Sequence, residues 1–263
     1  MEKYTLIDDL GTEHVFDKVP QRIVSLVPSQ TELLVDLGLE SKLLGITKFC
    51  IHPTHLRKEK VVVGGTKQVD FEKIKSLAPD IVIANKEENT REIVETLRTL
   101  CPVWVTDVSC VEDNFKMISD FGQLFHCIPE AETLNAKIRF SLNTFKSFIA
   151  EKPFRKVAYF IWKNPYMVAG SANYINALLQ LNRFENVFDN QSRYPEVTPE
   201  EIRGIKKLDY LLLSSEPYPF KEKDSLEMAA ISPSAKVILV DGEMFSWHGS
   251  RLLKAFEYFM SLH

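Results

Sequence analysis

Residues 70–83 read DFEKIKSLAPDIVI, and residues 198–213 repeat that pattern as TPEEIRGIKKLDYLLL. In each stretch a capping residue and first-turn acids precede apolar residues at helical spacing. An aspartate then leads into an apolar run of strand length. The pattern predicts a short helix followed by a buried strand, with Asp70 and Thr198 as N-caps and Pro199 at the first helical position. The same supersecondary unit therefore occurs once in each half of the chain.

The two repeated helices each carry an acid at the same place. The apolar residues of each helix share one face, which directs Glu72 and Glu200 toward solvent. Such acids are either ordinary first-turn residues favoured by the helix dipole or docking points for a partner with pseudo-twofold symmetry. The spacing alone leaves both interpretations open.

The bulk composition is that of a globular protein. The chain has 263 residues, of which 45% are hydrophobic and 26% charged, and its net charge is −4. These values argue against disorder, and the longest apolar runs are of strand length, so we expect no membrane insertion. A negative charge without a basic stripe also argues against nucleic-acid binding.

Strand and helix signals alternate on both sides of one long helical segment. Buried strands are predicted at 22–26, 43–46, 81–84, 103–106, 157–161, 210–213 and 237–240. From 111 to 150 the apolar residues recur at helical spacing instead, and Pro129 marks the start of a long helix. The order predicts an α/β fold: two Rossmann-like lobes with parallel sheets, joined by one long backbone helix. The expected bounds are 1–110 for the first lobe, 111–152 for the linking helical segment and 153–263 for the second lobe.

Further helices are predicted between these strands. The helix after the first strand is expected to begin with Ser29 or Thr31 as its cap and to end at Gly38. Other helices are expected at 90–100, 174–181 and 250–260.

The loops after the predicted strands are rich in aromatic and imidazole groups. Ligands of open α/β sheets bind at the carboxyl ends of the strands, so these loops are the expected ligand site. They lie at 47–53, 64–67, 162–167, 193–195 and 242–251. Their composition suits a bulky, partly apolar ligand with polar edges, and it equally suits aromatic side chains that seal an interface between lobes.

Metal binding and covalent catalysis have weaker signals. Cys50 and His52 offer a thiolate and an imidazole, and His248 offers an axial donor, but no closed ligand set can be named. Cys50 as a nucleophile activated by His52 is the weaker interpretation of this segment. No phosphate-binding glycine motif is present in the sequence.

The cysteines and the N-terminus bear on the compartment. The chain has 4 cysteines without a CxxC pair, so reduced thiols are expected. The first residues lack the features of a signal peptide. We therefore expect a cytoplasmic protein if Met1 is the native start, and a periplasmic one if a signal peptide has been removed.

Several segments resemble the helical-backbone, or class III, substrate-binding proteins of ABC importers, and in particular their cobalamin-binding members. The similarity covers about 20–259 and is strongest in four segments, 22–32, 70–84, 186–188 and 194–197. In that family two α/β lobes joined by one long helix hold cobalamin, haem or an iron siderophore in the cleft between them. One surface glutamate on each lobe pairs with arginines of the two permease subunits. The resemblance therefore implies that Glu72 and Glu200 dock on a dimeric ABC permease.

The resemblance also implies which residues line the ligand site. By motif position these are Phe49, Thr66, Met167, Tyr194 and the segment 245–251, which contains Phe245, Trp247, His248 and Arg251. Thr66 stands where the cobalamin-binding members have tryptophan, and Met167 replaces an aromatic residue, so a corrin specificity is not implied. Trp162, Trp247 and His248 are aromatic or imidazole groups suited to a different chelate.

The sequence thus predicts a monomeric, non-catalytic receptor for a metal chelate, either a cobalamin-like corrinoid, an iron siderophore or haem. Its expected walls are Phe49, Trp162, Tyr194 and Trp247. Arg251 is expected to bind an anionic edge, with His248 or Cys50 near the metal, and direct metal ligation by the protein stays open. The alternatives are a cytoplasmic corrinoid- or metal-handling enzyme that uses Cys50 and His52, or an interaction protein that docks through Glu72 and Glu200.

Overall fold

The computed structural model describes residues 3–263, which divide into two compact units. Unit 1 comprises the residues up to Val108, Glu112–Arg139 and His248–Arg251. Unit 2 comprises Ser109–Val111, Phe140–Trp247 and Leu252–His263. No helix among the described residues combines the length and apolar character needed to cross a bilayer.

Unit 1 is built on a parallel sheet of 5 strands in the order β5-β4-β3-β6-β7. These strands are β3 (Ile23–Ser25), β4 (Leu43–Ile46), β5 (Val61–Val62), β6 (Ile81–Asn85) and β7 (Val103–Thr106). An antiparallel hairpin that the sequence analysis does not predict precedes them, formed by β1 (Tyr4–Ile7) and β2 (Glu13–Phe16). The helices are α1 (Pro28–Asp36), α2 (Leu56–Glu59), α3 (Phe71–Ser76), α4 (Arg91–Arg98) and α5 (Val111–Leu124).

The core of unit 1 explains why its strands read as continuous apolar runs. Val24, Val82 and Val105 come from three neighbouring strands and form one buried cluster with Ile74 of α3 and Leu97 of α4. Strands of a parallel sheet are covered on both faces, so they need apolar residues at successive positions rather than at alternate ones.

The long helix predicted from Pro129 is confirmed as α6 (Ile128–Ile149). Its 22 residues span about 33 Å at 1.5 Å per residue. Unit 1 contains α6 as far as Arg139, and unit 2 contains it from Phe140. Gly122 of α5 lets α6 approach closely, because a Cβ atom there would lie 2.7 Å from the Cβ atom of Ala131.

Unit 2 contains a mixed sheet of 6 strands. These are β8 (Arg155–Trp162), β9 (Tyr166–Val168), β10 (Phe184–Asn186), β11 (Glu196–Val197), β12 (Tyr210–Ser214) and β13 (Lys236–Val240). The predicted strands β8, β12 and β13 pair in parallel, as expected, and β10, which the sequence does not predict, pairs in parallel with β8. β9 and β11 add antiparallel pairings that are also not predicted. The helices are α7 (Tyr174–Leu181), α8 (Pro199–Gly204), α9 (Glu222–Ile231), α10 (Gly242–Ser246) and α11 (Leu252–Met260).

The N-caps of the repeated helices are confirmed. The Asp70 carboxylate accepts a hydrogen bond from the backbone nitrogen of Lys73 at 3.0 Å. The Thr198 hydroxyl accepts one from the nitrogen of Glu201 at 3.2 Å, and the Glu201 carboxylate closes a capping box on the nitrogen of Thr198. Each helix therefore begins at a fixed residue.

The predicted start of α1 is wrong, whereas its end is confirmed. The helix begins at Pro28, and the preceding Val27 makes no side-chain capping bond among the described residues. Proline suits a first helical position because its φ is already helical and it needs no hydrogen-bond acceptor. Thr31 lies inside the helix, where its hydroxyl donates to the carbonyl of Val27 at 2.9 Å. Gly38 follows the helix with a φ of +78°, which suits glycine.

The caps predict a stability effect. Asp70→Ala or Thr198→Ala should each lower the free energy of unfolding by about 1 kcal/mol, because a helical N–H loses its acceptor. Urea unfolding followed by circular dichroism measures this loss. Ser76→Ala, at the other end of α3, is the control; an equal loss in this variant would contradict a specific capping role.

Candidate functional site

The strand order reverses once within the parallel pairings of each unit. In unit 1, β3 lies between β4 and β6, so the connection after β3 leads to one side and the connection after β6 to the other. In unit 2, β8 pairs with β10 on one side and with β12 on the other. Loops diverge where the strand order reverses and leave a crevice at the carboxyl ends of the strands.

Two candidates in unit 1 follow the strands β4 and β5. Phe49 is 49% exposed, and the centroid of its ring lies 5.0 Å from the ammonium nitrogen of Lys48. Thr66 is half-buried after the turn at Gly64 and Gly65. The ring of Phe49 closes over this turn, since a Cβ atom on Gly65 would lie 3.2 Å from it. The structure thus brings the loops of Phe49 and Thr66 together.

A buried amide and hydroxyl network fixes the ends of β6 and β7. The Asn85 side-chain nitrogen donates to the carbonyl and the hydroxyl of Thr106, at 3.1 Å and 3.0 Å. Gln30 of α1 donates to the same hydroxyl at 2.5 Å. The Asn89 amide donates to the carbonyl of Thr66 at 2.9 Å. The loop after β6 therefore holds the loop that carries Thr66.

The same loop after β6 contributes two acids, Glu87 and Glu88. Burial raises the pKa of the half-buried Glu88 carboxyl, an effect that the nearby Lys67 opposes. The Lys67 ammonium donates to the backbone oxygen of Glu87, and the Thr66 hydroxyl hydrogen-bonds the Glu88 carboxyl. The carboxyl edge of unit 1 therefore presents acids and a cation beside Thr66.

Cys50 and His52 have different environments. The Cys50 sulfur is fully buried, 3.1 Å from the hydroxyl of Thr31 and 3.3 Å from that of Thr47. Burial raises the pKa of this thiol, which disfavours the thiolate needed for metal binding or nucleophilic attack. His52 is half-buried and precedes a cis peptide bond to Pro53. The placement favours a packing role for Cys50 and leaves His52 as a candidate ligand contact.

The segment His248–Arg251 belongs to unit 1, although most of its sequence neighbours lie in unit 2. Asn114 of α5 accepts from the backbone nitrogen of Gly249 and donates to its carbonyl at 3.4 Å. Gly249 has a φ of +89°, and a Cβ atom there would lie 3.2 Å from the Cβ atom of Leu33 in α1. A glycine is thus required for this segment to lie against α1.

Two candidate residues of this segment hold it to α1. The His248 ring nitrogen Nδ1 lies 3.2 Å from the hydroxyl of Ser29, and burial lowers the pKa of this histidine to about 4. The Arg251 Nε donates to the Glu32 carboxylate at 2.8 Å, and both side chains are buried. His248 is therefore neutral at neutral pH, and Glu32 balances the charge of Arg251.

Aromatic side chains in unit 2 gather at the ends of β8, β12 and β13. The Trp162 ring is 39% exposed and packs edge-on against Tyr218, with ring centroids 5.8 Å apart. The Glu216 carboxylate accepts from the indole nitrogen of Trp247 at 3.0 Å and from the hydroxyl of Ser246 at 2.5 Å. Glu216 therefore joins the loop after β12 to the segment that carries Trp247.

Phe245 is fully buried within unit 2. Its ring packs against Tyr159 and Phe259, with centroid separations of 5.0 Å and 4.8 Å. This placement favours a core role in which Phe245 supports the following Ser246 and Trp247 rather than contacting a ligand.

Met167 and Tyr194 belong to the antiparallel edge of unit 2. Met167 is half-buried on β9, directly opposite Glu196 of β11. Tyr194 is half-buried just before β11, with the guanidinium of Arg193 5.6 Å from its ring. The antiparallel pairing thus places the segment that carries Tyr194 beside β9, where the nitrogen of Val168 donates to the carbonyl of Pro195 at 3.1 Å.

Glu72 and Glu200 occupy the same position in their helices. Each is the second residue, follows a capped start and is exposed. Glu200 accepts from Arg203 at 2.9 Å across one helical turn. Glu92 also occupies a second helical position, in α4 after the Thr90 cap. The position alone therefore does not distinguish a docking residue from an ordinary first-turn acid.

The sequence analysis missed several residues at the carboxyl ends of the strands. In unit 1 these are the network around Asn85 and the acids Glu87 and Glu88, and in unit 2 they are Glu216 and Tyr218. The predicted strands ended one residue before Asn85 and Ser214, so both loops could have been identified from position. The loop after Asn85 has no aromatic residue, whereas the loop after Ser214 carries Tyr218 and Phe220, an aromatic signal that was overlooked.

The donors named from the sequence do not assemble into a metal centre. Over residues 3–263, no group of three close histidine, cysteine or carboxylate donors contains Cys50, His52 or His248. These residues therefore do not form a closed metal site of the protein, and any part they play beside a bound chelate is contact with that ligand.

Comparison with known proteins establishes the family. A family model described as "Periplasmic binding protein" matches residues 23–230. The chain belongs to the periplasmic binding protein family. This family is one of non-catalytic substrate-binding proteins for ABC transporters, which confirms the resemblance and the expectation that the chain is not an enzyme.

Individual relatives share about a quarter of the aligned residues with this chain. An uncharacterized ABC transporter substrate-binding lipoprotein of Bacillus subtilis, YvrC, is 26% identical over 206 residues, covering 74% of this chain and 65% of its own. A vitamin B12-binding protein of Vibrio vulnificus is 26% identical over 189 residues, covering 69% of this chain and 67% of its own. The chain thus spans about two thirds of the length of these relatives.

A solved structure confirms the fold class. A periplasmic heme-binding protein from Pseudomonas aeruginosa superposes with a TM-score of 0.80 at 21% identity, covering 92% of both chains. This similarity supports the α/β architecture that the repeated helix and strand pattern predicts.

The buried His248 predicts a pH dependence of stability. Its folded pKa of about 4 lies below the usual value of 6.5, so between these values the unfolded chain binds a proton that the folded chain does not. Stability should therefore fall as the pH decreases through this window, by about 3 kcal/mol in all, with no further contribution from His248 below it.

Urea unfolding between about pH 7.5 and pH 4 tests this expectation, with His248→Gln as the comparison. Other groups titrate in both proteins, so the difference between their curves isolates His248. Parallel curves for the two proteins would contradict the assignment.

Proposed function

We propose that the chain is the substrate-binding protein of an ABC importer and carries a metal chelate of the corrinoid, haem or iron siderophore class. Family membership supports the importer role. The vitamin B12-binding relative and the fold shared with a heme-binding protein support this class of ligand. The sequence resemblance adds the iron siderophores. An importer role places the protein outside the cytoplasmic membrane, as the lipoprotein and periplasmic relatives suggest.

One observation carries the choice of ligand class. Each unit exposes a large aromatic ring at a carboxyl end of its sheet, Phe49 after β4 and Trp162 at the end of β8. Moving an exposed aromatic side chain from water into an apolar contact is favourable by about 1.5–3 kcal/mol. A ligand with a broad apolar body, such as a macrocycle, would cover such rings.

The polar groups beside the rings suit a ligand with polar edges. Unit 1 offers Thr66, Lys67 and Glu88, and unit 2 offers Glu216. Amide, hydroxyl and carboxylate groups at the rim of a chelate would hydrogen-bond to such residues. His52, Met167 and Tyr194 complete the proposed ligand contacts. Trp247, also predicted as a wall of the site, is buried, and its indole nitrogen donates to Glu216, which favours a supporting role instead.

The remaining candidates support these contacts rather than make them. Cys50 and Phe245 are fully buried in the cores of their units. His248 and Arg251 bind Ser29 and Glu32 of α1, so we assign them to holding the segment after Trp247 in place.

The proposed ligand site predicts losses of affinity. Cyanocobalamin, haemin and a ferric hydroxamate are titrated into the protein, with tryptophan fluorescence and visible absorption as readouts. At least one should bind, and Phe49→Ala or Trp162→Ala should weaken that binding roughly 10- to 100-fold, since each removes one covered ring.

The control is Phe154→Ala. Phe154 is 64% exposed and directly precedes β8, at the opposite end of the strand from Trp162. Its removal should leave the affinity unchanged. Failure of all three chelates to bind would exclude the ligand class, and an equal loss in the Phe154 variant would exclude the assigned end of the sheet.

Glu72 and Glu200 are the proposed contacts with the permease. Capping fixes the first turn of both helices, so each glutamate projects from a defined backbone position on an exposed surface. One such acid on each unit suits a permease of two related subunits that present arginines. We further propose that the receptor acts as a monomer.

The docking proposal predicts that Glu72→Ala with Glu200→Ala weakens binding to the permease at least about tenfold, because exposed charge pairs at such an interface steer and hold the complex. Binding to the host's permease in lipid nanodiscs measures this, and chelate affinity should stay unchanged. Glu92→Ala is the matched control, since Glu92 is also the second residue of a capped helix. Unaltered permease binding by the double variant would contradict the proposal.

A further inference from the structure

We propose that Glu40, His55 and Glu59 of unit 1 form a binding site for a divalent first-row transition-metal ion, with Zn²⁺ as the reference ion. Their ligand atoms, one imidazole nitrogen and two carboxylate oxygens, all lie within 4.8 Å of one another. Neither the resemblance nor the proposed ligand contacts involve these three residues, so the inference stands independently of the proposed function.

The local backbone brings two of the donors together. His55 precedes α2 with a φ of −73° and a ψ of −27°, which is helical, and Glu59 is the last residue of that helix. Residues four apart in a helix lie on the same face, so His55 and Glu59 project side by side. Leu56 points into a buried cluster with Ile46 and Cys50, which fixes the orientation of this short helix.

The third donor comes from another segment. Glu40 begins the short 3-10 turn Glu40–Lys42, which leads into β4. Its carboxylate lies 2.8 Å from the His55 Nε2, so the two side chains already meet. The site would therefore join the segment before β4 to the helix that follows the Phe49 loop.

The donor set indicates the kind of metal. Imidazole together with carboxylate oxygens suits Zn²⁺ and its neighbours, whereas Ca²⁺ and Mg²⁺ prefer oxygen ligands alone. Three protein ligands leave a coordination position for water. Donors around a tetrahedral zinc ion lie roughly 3.4 Å apart, so the Glu40 and His55 donors, now 2.8 Å apart, must separate slightly while Glu59 comes within the same range. Their exposure, 44% for His55 and 35% for Glu40, permits that movement.

The surrounding charges do not oppose a cation strongly. The Lys60 ammonium donates to the Glu40 backbone carbonyl at 2.9 Å rather than to the carboxylate. Arg57 and Lys58 are exposed on the same short helix. The existing pair of His55 with Glu40 is partly exposed, and pairs of that kind contribute little, so a metal can replace it.

The test uses the full chain without a polyhistidine tag, stripped of metal by a chelator and dialysed. Zn²⁺ is titrated in competition with a chromophoric chelator, and Co²⁺ is added separately to record its visible absorption. We expect one Zn²⁺ per chain with a dissociation constant in the micromolar range, and no competition by a large excess of Mg²⁺.

Variants locate the site. His55→Ala should weaken Zn²⁺ binding at least tenfold, and Glu59→Gln or Glu40→Gln should also weaken it, since each removes a ligand. His126→Asn is the control, because His126 is exposed elsewhere in unit 1 and asparagine tolerates its positive φ of 53°. Equal binding by the His55 variant and the parent, or equal affinity for Mg²⁺ and Zn²⁺, would overturn the proposal. Circular dichroism verifies that each variant is folded.

Discussion

The reversal of strand order within each sheet is the constraint on which the rest of the candidate site depends. Crossover connections between parallel strands are right-handed, so strands on either side of the reversal send their helices to opposite faces. In unit 1 the reversal lies between β3 and β6, and in unit 2 between β8 and β12. Loops at these points present side chains to solvent or ligand without disturbing the core. The core can therefore stay apolar while the loop sequences vary.

Diverging loops leave backbone groups that need partners, and both units solve this in the same way. Asn85 ends β6 and accepts from the nitrogen of Glu87 at 2.9 Å, while Asn186 ends β10 and accepts from the nitrogen of Phe188 at 3.1 Å. Both side-chain amides then donate to a neighbouring backbone carbonyl, at 3.1 Å and 2.9 Å. The chain turns where an asparagine side-chain oxygen accepts a hydrogen bond from the backbone nitrogen two residues later. Each of these strands therefore ends at a defined residue.

Local pattern was enough to predict most of the framework. The repeated helices, their caps and the long α6 follow from capping residues, proline and apolar spacing, which act within a few residues. The hairpin of β1 and β2, the short parallel strands β5 and β10 and the antiparallel β9 and β11 were missed, because strands of 2–4 residues carry too little alternation to be recognised. The predicted start of α1 was wrong. Pro28 suits the first helical position, so the helix begins there and not after a cap at Ser29 or Thr31.

The candidate site was harder to predict because residue type marks chemistry, whereas exposure decides whether that chemistry is available. Cys50, Phe245, Trp247, His248 and Arg251 suggest a ligand site by their type, yet the fold buries all five. Arg251 and Glu32 are 219 residues apart, and no local pattern joins them. Position at a strand end is the better guide: it includes the exposed rings of Phe49 and Trp162, and it also includes Glu88 and Glu216, which composition alone did not indicate. For a chain of this fold, locating the reversal of strand order first would therefore narrow the choice of site residues more than searching for reactive side chains.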